Sequence, residues 1–236
     1  MRIALIGHGK MGREVEAAAR EQGDEIVHIF EIDRPVQAAL LSDVDVCIEF
    51  STPQAVVDNI RAACAARKDI VVGTTGWYDR LPEVRRAATE SGVIYSANFS
   101  LGVNIFFRIV RAASELMRNA PDYDAYVHEV HHRQKIDSPS GTALRLGEIV
   151  MGGIDRKKRI EVNRAEGKID PSALHVTSTR AGVVAGVHTV GFDSEADSIE
   201  ITHSAKSRRG FALGALHAAR WIRGKKGVFT MDDVDL

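Results

Sequence analysis

At 236 residues the chain can bury a substantial core, as one large domain or two smaller ones. Its composition, 44% apolar and 27% charged, is that of an ordinary soluble globular protein, and a net charge of -1 supplies no field to draw nucleic acid or an anionic membrane. The opening "MRIALIGHGKMG" has no signal-peptide cleavage pattern, and no run of about 18 apolar residues is present, so a cytoplasmic setting is expected.

The first hundred residues alternate between short apolar runs and helical patterns. "RIALI" (2–6) reads as a strand, "GHGKMG" as a turn, and "REVEAAAREQ" as a helix closed by Gly23. "EIVHIFEID" (25–33) and "VDVCIEF" (44–50) read as the second and third strands, and Ser51-Thr52-Pro53 as a helix start with proline in the first turn. The helix "QAVVDNIRAACAAR", the strand "DIVVGTT", the helix "LPEVRRAATES" and the strand "VIYSA" follow. Such alternation predicts a parallel sheet with helices on both faces. Cys47 and Cys64 fall in an apolar strand and an alanine-rich helix, where they are expected as small buried hydrophobes in a reducing compartment.

Near Ser100 the pattern changes. A long apolar helix, "GVNIFFRIVRAASELM", leads into the strand-like "YDAYVHEV", and another helix starts near Thr142. The runs "RIEVNR", "LHVTSTRAG", "GVHTVGF" and "SIEITHSA" then follow without helices between them, which predicts a second, α+β domain on a mixed, largely antiparallel sheet. "GFALGALHAARWIRG" resumes a helical pattern and is expected to return to the first domain. The expected division is 1–101 plus 207–236 against 102–206. No internal repeat or low-complexity segment is present.

Gly7, Gly9 and Gly12 form G-x-G-x-x-G between the first strand and its helix. The first glycine permits a tight turn, the second lets backbone approach a pyrophosphate, and the third permits close helix–strand packing. The helix N-terminus offers free N–H groups to phosphate. Asp33, placed by this pattern at the carboxyl end of the second strand, can reach the adenine ribose hydroxyls, with Glu31 as its competitor. A glycine turn without a ligand explains the glycines alone but not this context. The first domain is expected to bind a dinucleotide.

"HEVHHRQKIDSPSGT" (128–142) contains His128-Glu129-x-x-His132, the spelling of a zinc peptidase helix. The residues leading in read as a strand, however, which would hold His128 and His132 about 13 Å apart, too far to share an ion. A metal is therefore not expected. His131, His132, Arg133 and Lys135 instead crowd cations beside Ser140, Gly141 and Thr142, which open a helix whose first N–H groups can receive an anion. A solvated polar loop is the plain alternative. Histidine and lysine in such a place are candidate proton donors to a carboxylate-bearing substrate.

"EVHHRQKIDSPSGTA" resembles the E-x-H-H-x-x-K-x-D-x-P-S-G-T-A signature of the 4-hydroxy-tetrahydrodipicolinate (dihydrodipicolinate) reductases of lysine and diaminopimelate biosynthesis. "GHGKMG", "VVGTTGW", "SANFSLGVN" and "SIEITHSAKSRRGFALGA" extend the resemblance, in order, over nearly the whole chain. The stretch between the second and third strands is short for the family. The resemblance implies a Rossmann-like domain closed by the C-terminal helix, and a central mixed-sheet domain that builds a homotetramer. It implies NADH or NADPH as cofactor, a small cyclic dicarboxylate as substrate, and neither nucleic acid nor membrane as partner. It places His131 as proton donor/acceptor and Lys135 as proton donor, with His132, Ser140, Gly141 and Thr142 binding substrate. Cofactor contacts are implied for Gly7, His8, Gly9, Lys10, Met11, Gly12, Asp33, Arg34, Gly73, Thr74, Thr75, Ala97, Asn98, Phe99 and Ser100. Two other classes remain as alternatives: a Rossmann oxidoreductase of the homoserine- or aspartate-semialdehyde-dehydrogenase type, and a non-catalytic redox sensor. No cysteine stands in a loop fit for the second dehydrogenase, and a sensor would not need His131 and Lys135 beside an anion-binding helix.

Overall fold

A computed structural model describes residues 1–162 and 167–235. In chain order its elements begin with β1 (Arg2–Ile6), α1 (Lys10–Glu21), β2 (Glu25–Phe30), β3 (Val46–Glu49), α2 (Val56–Ala65), β4 (Asp69–Val72), α3 (Leu81–Ala87) and β5 (Gly92–Tyr95). Then come α4 (Leu101–Met117), β6 (Asp124–His131), α5 (Gly141–Gly153), β7 (Arg159–Glu161), β8 (Ala173–Arg180), β9 (Val187–Asp193) and β10 (Ser198–Ser204). The chain ends with α6 (Arg209–Ile222) and β11 (Gly227–Thr230). Two units result: Met1–Asn104 with Arg208–Leu236, and Ile105–Ser207. Their boundaries lie three residues and one residue beyond those read from the sequence.

The first unit carries a six-stranded sheet in the order β11-β5-β4-β3-β1-β2, parallel throughout. Burial on both faces explains why β3 and β4 are nearly unbroken apolar runs. On one face Ile3, Leu5, Val71 and Ile94 pack against Val15 and Ala18 of α1 and Ala215, Leu216 and Ile222 of α6. On the other, Ala4, Ile6, Cys47 and Val72 meet Val57, Ile60 and Cys64 of α2 and Val84 of α3. Burial pushes the Cys47 thiol up to about 12 and that of Cys64 to about 11, so both stay protonated and unreactive.

Several boundaries differ from expectation. α1 starts at Lys10, three residues before the apolar periodicity becomes visible. β2 ends at Phe30, and Glu31 and Arg34 close a tight turn through paired backbone hydrogen bonds of 3.1 and 3.0 Å. Asp33 therefore lies in that turn rather than on the strand. Ser51-Thr52-Pro53 does not start α2, which begins at Val56. The Ser51 amide and hydroxyl instead donate to the buried Glu49 carboxylate, and the Thr52 carbonyl accepts from Ala55 and Val56. β11, an edge strand of four residues, was not expected at all: "GVFT" is too short to show a period.

In the second unit the strand order is β10-β9-β6-β8-β7. The sheet is mixed, as expected: β10–β9 and β9–β6 run antiparallel, β6–β8 and the short β8–β7 pairing parallel. α5 connects β6 to β7 as a helical crossover, and these two strands run parallel with β8 between them. Of the expected strand "RIEVNR", Arg159–Glu161 forms β7, and Asn163 and Arg164 lie outside the described residues. Alternate β6 residues Ala125 and Val127 pack on Phe106 and Val110 of α4 and on Leu146 and Val150 of α5. The intervening Tyr126 and His128 face the other side of the sheet, where His128 Nδ1 lies 2.9 Å from Thr177 Oγ1.

One close approach in the first unit fixes where its C-terminal helix sits. A Cβ on Gly214 of α6 would lie 1.7 Å from the Phe99 carbonyl oxygen. Gly214→Ala must push the helix away, and we expect a loss of about 1–3 kcal/mol. The measurement is the urea midpoint at unchanged slope; a midpoint equal to wild type would show that the helix retreats without cost.

Candidate active site

The loops after β1, β2, β3, β4 and β5 all leave the carboxyl edge of the parallel sheet, and the strand order reverses between β2 and β3 on either side of β1. In open α/β sheets that edge, at such a switch point, is where ligands bind. The glycine turn has the shape its motif requires. Gly7 has φ +88°, and a Cβ there would lie 2.3 Å from the Phe50 carbonyl oxygen. A Cβ on Gly12 would meet the Gly7 carbonyl at 2.2 Å, whereas nothing lies within 4 Å of one on Gly9. The cap of α1 at Gly9 makes no side-chain hydrogen bond, so the helix start is left to receive an anion. His8, Lys10 and Met11 complete the turn, with His8 Nε2 held 2.6 Å from Glu16.

The neighbouring loops are built on the same edge. Gly73 lies against the Phe50 ring, which meets Phe99 edge-on at 6.4 Å between centroids. Thr74 is buried, its Oγ1 accepting from the Ser51 amide at 2.9 Å, and Thr75 is exposed. Asn98 and Ser100 shape the next loop: Ser100 N donates to Asn98 Oδ1 at 2.9 Å and Asn104 Nδ2 to the Asn98 carbonyl at 3.0 Å. Ala97 is exposed and Phe99 buried within that loop. Asp33 and Arg34 are exposed, the Arg34 guanidinium standing 5.7 Å from the Phe30 ring centroid. Sequence reading missed Glu49, a wholly buried carboxylate that braces two of these loops through Ser51, Asn59 and Thr74. Burial raises its pKa, with those hydrogen bonds opposing. Its only signal in sequence is an acid at the end of an apolar strand.

The second unit assembles the histidine stretch around Glu129, which is also wholly buried. Its Oε1 accepts from the Ser140 amide at 2.8 Å and from Arg180 Nη2 on β8 at 2.9 Å. Its Oε2 accepts from the Ser140 hydroxyl and lies 3.2 Å from Nδ1 of His131 and 3.3 Å from Nε2 of His188 on β9. The His131 contact is close but off the line of an ideal hydrogen bond. Burial opposes the charge on Glu129, yet His188, Ser140 and Arg180 hold its carboxyl well below the usual carboxylate range. Ser140 also caps α5, its hydroxyl accepting from the Ala143 amide at 3.2 Å.

His132 leaves the strand, its N–H donating to the Val184 carbonyl at 2.7 Å, and its Nδ1 is buried without a partner among the described residues. Lys135 Nζ stands 2.7 and 3.0 Å from the two oxygens of Asp137. Asp137 is in turn held low, against the cost of its partial burial, by Lys135 and by the Gly141 backbone amide at the start of α5. A carboxylate of the chain itself thus meets the lysine and the helix start, the pairing expected for a carboxylate of the substrate. No side chain crowds Gly141, and Thr142 follows it in the first turn. His128 and His132 share no site. Glu129, His131 and His188 do bring ligand-type atoms within 4.8 Å of one another. Arg180 already balances that carboxylate, however, and would repel a second cation. Of these residues Arg180 and His188 were missed in sequence, because nothing local in "STRAG" or "GVHTVG" tells of a partner 51 or 59 residues away.

Fold and site together define an oxidoreductase: a Rossmann-type unit whose glycine turn fits a dinucleotide, joined to a unit carrying acid/base side chains beside a helix start. Residues 1–99 match the N-terminal and residues 102–234 the C-terminal dihydrodipicolinate reductase family. The 4-hydroxy-tetrahydrodipicolinate reductase of Christiangramia forsetii is 40% identical over 238 residues, 99% of this chain and 97% of its own. That of Neisseria gonorrhoeae is 39% identical over 201 residues, covering 83% of this chain and 74% of its own. The dipicolinate-bound dihydrodipicolinate reductase of Paenisporosarcina sp. shares the fold with a TM-score of 0.79 at 19% identity, over 98% of this chain and 97% of that one. The chain belongs to the dihydrodipicolinate reductase family. Among the described residues no helix is long and apolar enough to cross a membrane.

The buried site sets a pH dependence of stability. Burial pushes the His131 imidazole down from 6.5 to about 4, with Glu129 pulling upward and His188, Lys135 and Arg180 adding to the depression. Between those values the unfolded chain binds a proton that the folded chain refuses, so stability falls as pH drops through that window. Glu129, whose folded pKa is lowered, adds a loss that begins near the ordinary carboxyl value and continues downward. Urea midpoints should therefore fall from about pH 7 to about pH 4. The decline should be shallower in His131→Gln, and an equally steep decline in that variant would remove His131 as the cause.

Proposed function

We propose that the chain reduces 4-hydroxy-tetrahydrodipicolinate to tetrahydrodipicolinate with loss of water, in lysine and diaminopimelate biosynthesis, using NADH or NADPH. What carries the substrate assignment is the meeting of Lys135, Asp137 and the Gly141 amide at the start of α5, beside His131 and Ser140. The nicotinamide cofactor supplies the hydride. The first unit holds it: Gly7, Gly9 and Gly12 with the start of α1 receive the pyrophosphate, flanked by His8, Lys10 and Met11. Asp33 and Arg34 read the adenine ribose, while Gly73–Thr75 and Ala97–Ser100 line the rest of the edge.

In the second unit Gly141 and Thr142 grip one substrate carboxylate, and His132 helps to hold the ring. Fixed positive charge at Lys135 and the helix start stabilises negative charge that develops as the ring is reduced. Lys135 donates the proton that completes reduction, and His131 serves as donor and acceptor beside it. Asp137 keeps the lysine at the helix start until substrate takes its place. The resemblance further implies a homotetramer in the cytoplasm. The sheet face turned away from α4 and α5, with Tyr126, His128, Thr177 and Thr189 half-buried on it, supports association through the second unit.

Two experiments test this reading. Following NADH oxidation with freshly made dihydrodipicolinate-synthase product should show turnover in the wild type. Lys135→Met should lose about 10²–10⁴-fold in kcat while NADH binding is kept. A kcat near wild type removes Lys135 from the mechanism.

The second experiment concerns cofactor choice. A carboxylate at Asp33 accepts hydrogen bonds from both ribose hydroxyls but repels the 2′-phosphate of NADPH, and Arg34 can pair with that phosphate. Both cofactors should work, with NADH favoured by less than about tenfold, or 1.4 kcal/mol. Asp33→Ala should shift the kcat/KM ratio towards NADPH and Arg34→Ala towards NADH. An unmoved ratio in Asp33→Ala would pass the ribose to Glu31.

A further inference from the structure

Granting His131 the place beside substrate proposed above, the surroundings of its ring decide which nitrogen faces the chemistry. Nδ1 lies 3.2 Å from Glu129 Oε2, and both atoms are buried. An ionised carboxylate is an acceptor only. Were Nδ1 unprotonated, its lone pair would lie 3.2 Å from the carboxylate's negative charge in a low-dielectric interior, a gap with no room for a water. A proton on Nδ1 turns the same contact into an attraction. Glu129 is kept ionised by the Arg180 guanidinium, the Ser140 amide and hydroxyl, and His188. The opposite side of the ring is different. Nε2 lies beside Gly186, where a Cβ would come within 2.9 Å of it, so the missing side chain leaves that nitrogen clear. The charged and titratable groups that face the ring are Glu129, His188, Lys135 and Arg180.

We propose that Glu129 is a positioning residue for the reaction, one that locks His131 in the Nδ1–H tautomer and presents a bare Nε2, beside Gly186, as the catalytic atom. His131 then begins the cycle as an acceptor, and the proton that completes reduction comes from Lys135. His131 has one ring proton to place at neutral pH, because burial keeps the ring uncharged down to about 4. His188 and Arg180 support the lock at one remove, by holding the carboxylate from the two strands that flank β6. One feature of the sequence that the fold alone does not demand, an acid two residues before His131, is thereby explained.

The test reads the tautomer directly. Long-range ¹H–¹⁵N correlation spectra of the histidine-labelled full chain near pH 7 distinguish protonated from bare ring nitrogens, and His131→Gln identifies the His131 signals. We expect a protonated Nδ1 and a bare Nε2 in the wild type. Glu129→Gln, whose amide can either accept or donate, should mix the tautomers and lower kcat at least about tenfold, as loss of tautomer control does in other histidine-dependent enzymes, with the substrate KM and NADH affinity little changed. A wild-type His131 protonated at Nε2 overturns the proposal, and so does a Glu129→Gln enzyme that keeps wild-type kcat. The wild-type spectrum stands even if Glu129→Gln does not fold. A wild type without reductase activity would instead refute the proposed function, and leave the tautomer to be read on its own.

Discussion

A negative charge with no access to water organises the second unit. Glu129 sits in the middle strand of its sheet, and an uncompensated buried carboxylate would cost several kcal/mol. Compensation comes from Arg180 on β8, His188 on β9, and both the amide and the hydroxyl of Ser140 at the start of α5. Each neighbour of β6 thus owes part of its position to one side chain. Ser140 does two things at once: it satisfies Glu129 and caps the helix whose first turn carries Gly141 and Thr142. The orientation of His131 and the placement of the start of α5 are therefore not independent features. They are two outcomes of satisfying the same charge.

The first unit has a counterpart in Glu49, at the end of β3. Here the carboxylate meets hydroxyls and amides rather than a guanidinium, and burial raises its pKa instead of the surroundings lowering it. It draws the Ser51 and Thr74 loops together at the carboxyl edge of the sheet, with Phe50 wedged against Gly73. Both sites are thus supported from below by a buried acid that touches neither proposed ligand. One is held ionised by a guanidinium and hydrogen-bond donors and the other is surrounded by neutral donors, which fits a role in charge placement for the first and in loop shape for the second.

Much of this was legible in the residues. The strand–helix alternation showed itself in the first hundred positions because buried parallel strands are apolar throughout, and the glycine turn because only glycine tolerates contacts such as those of Gly7 and Gly12. The stretch from His131 to Thr142 was visible as a concentration of cations before a helix start. What escaped was non-local. Arg180 and His188 reach Glu129 from strands 51 and 59 positions further along the chain, and neither stands in a local pattern. β11 is too short for a period, and Asp33 moved off its strand because Glu31 and Arg34 close a turn that alternation could not foretell.

The pairing of Glu129 with Arg180 also bears on how the active protein comes into being. Its partners are spread from Ser140 to His188, so a chain that has formed β6 and α5 alone would have to bury a carboxylate without its guanidinium. Such a state is penalised electrostatically, and water must remain around Glu129 until β8 and β9 have docked. Contacts this distant in sequence form late, because a long loop has to close before they reward it. The buried site is therefore complete only when the sheet is, because its charge is not compensated before β8 and β9 are in place.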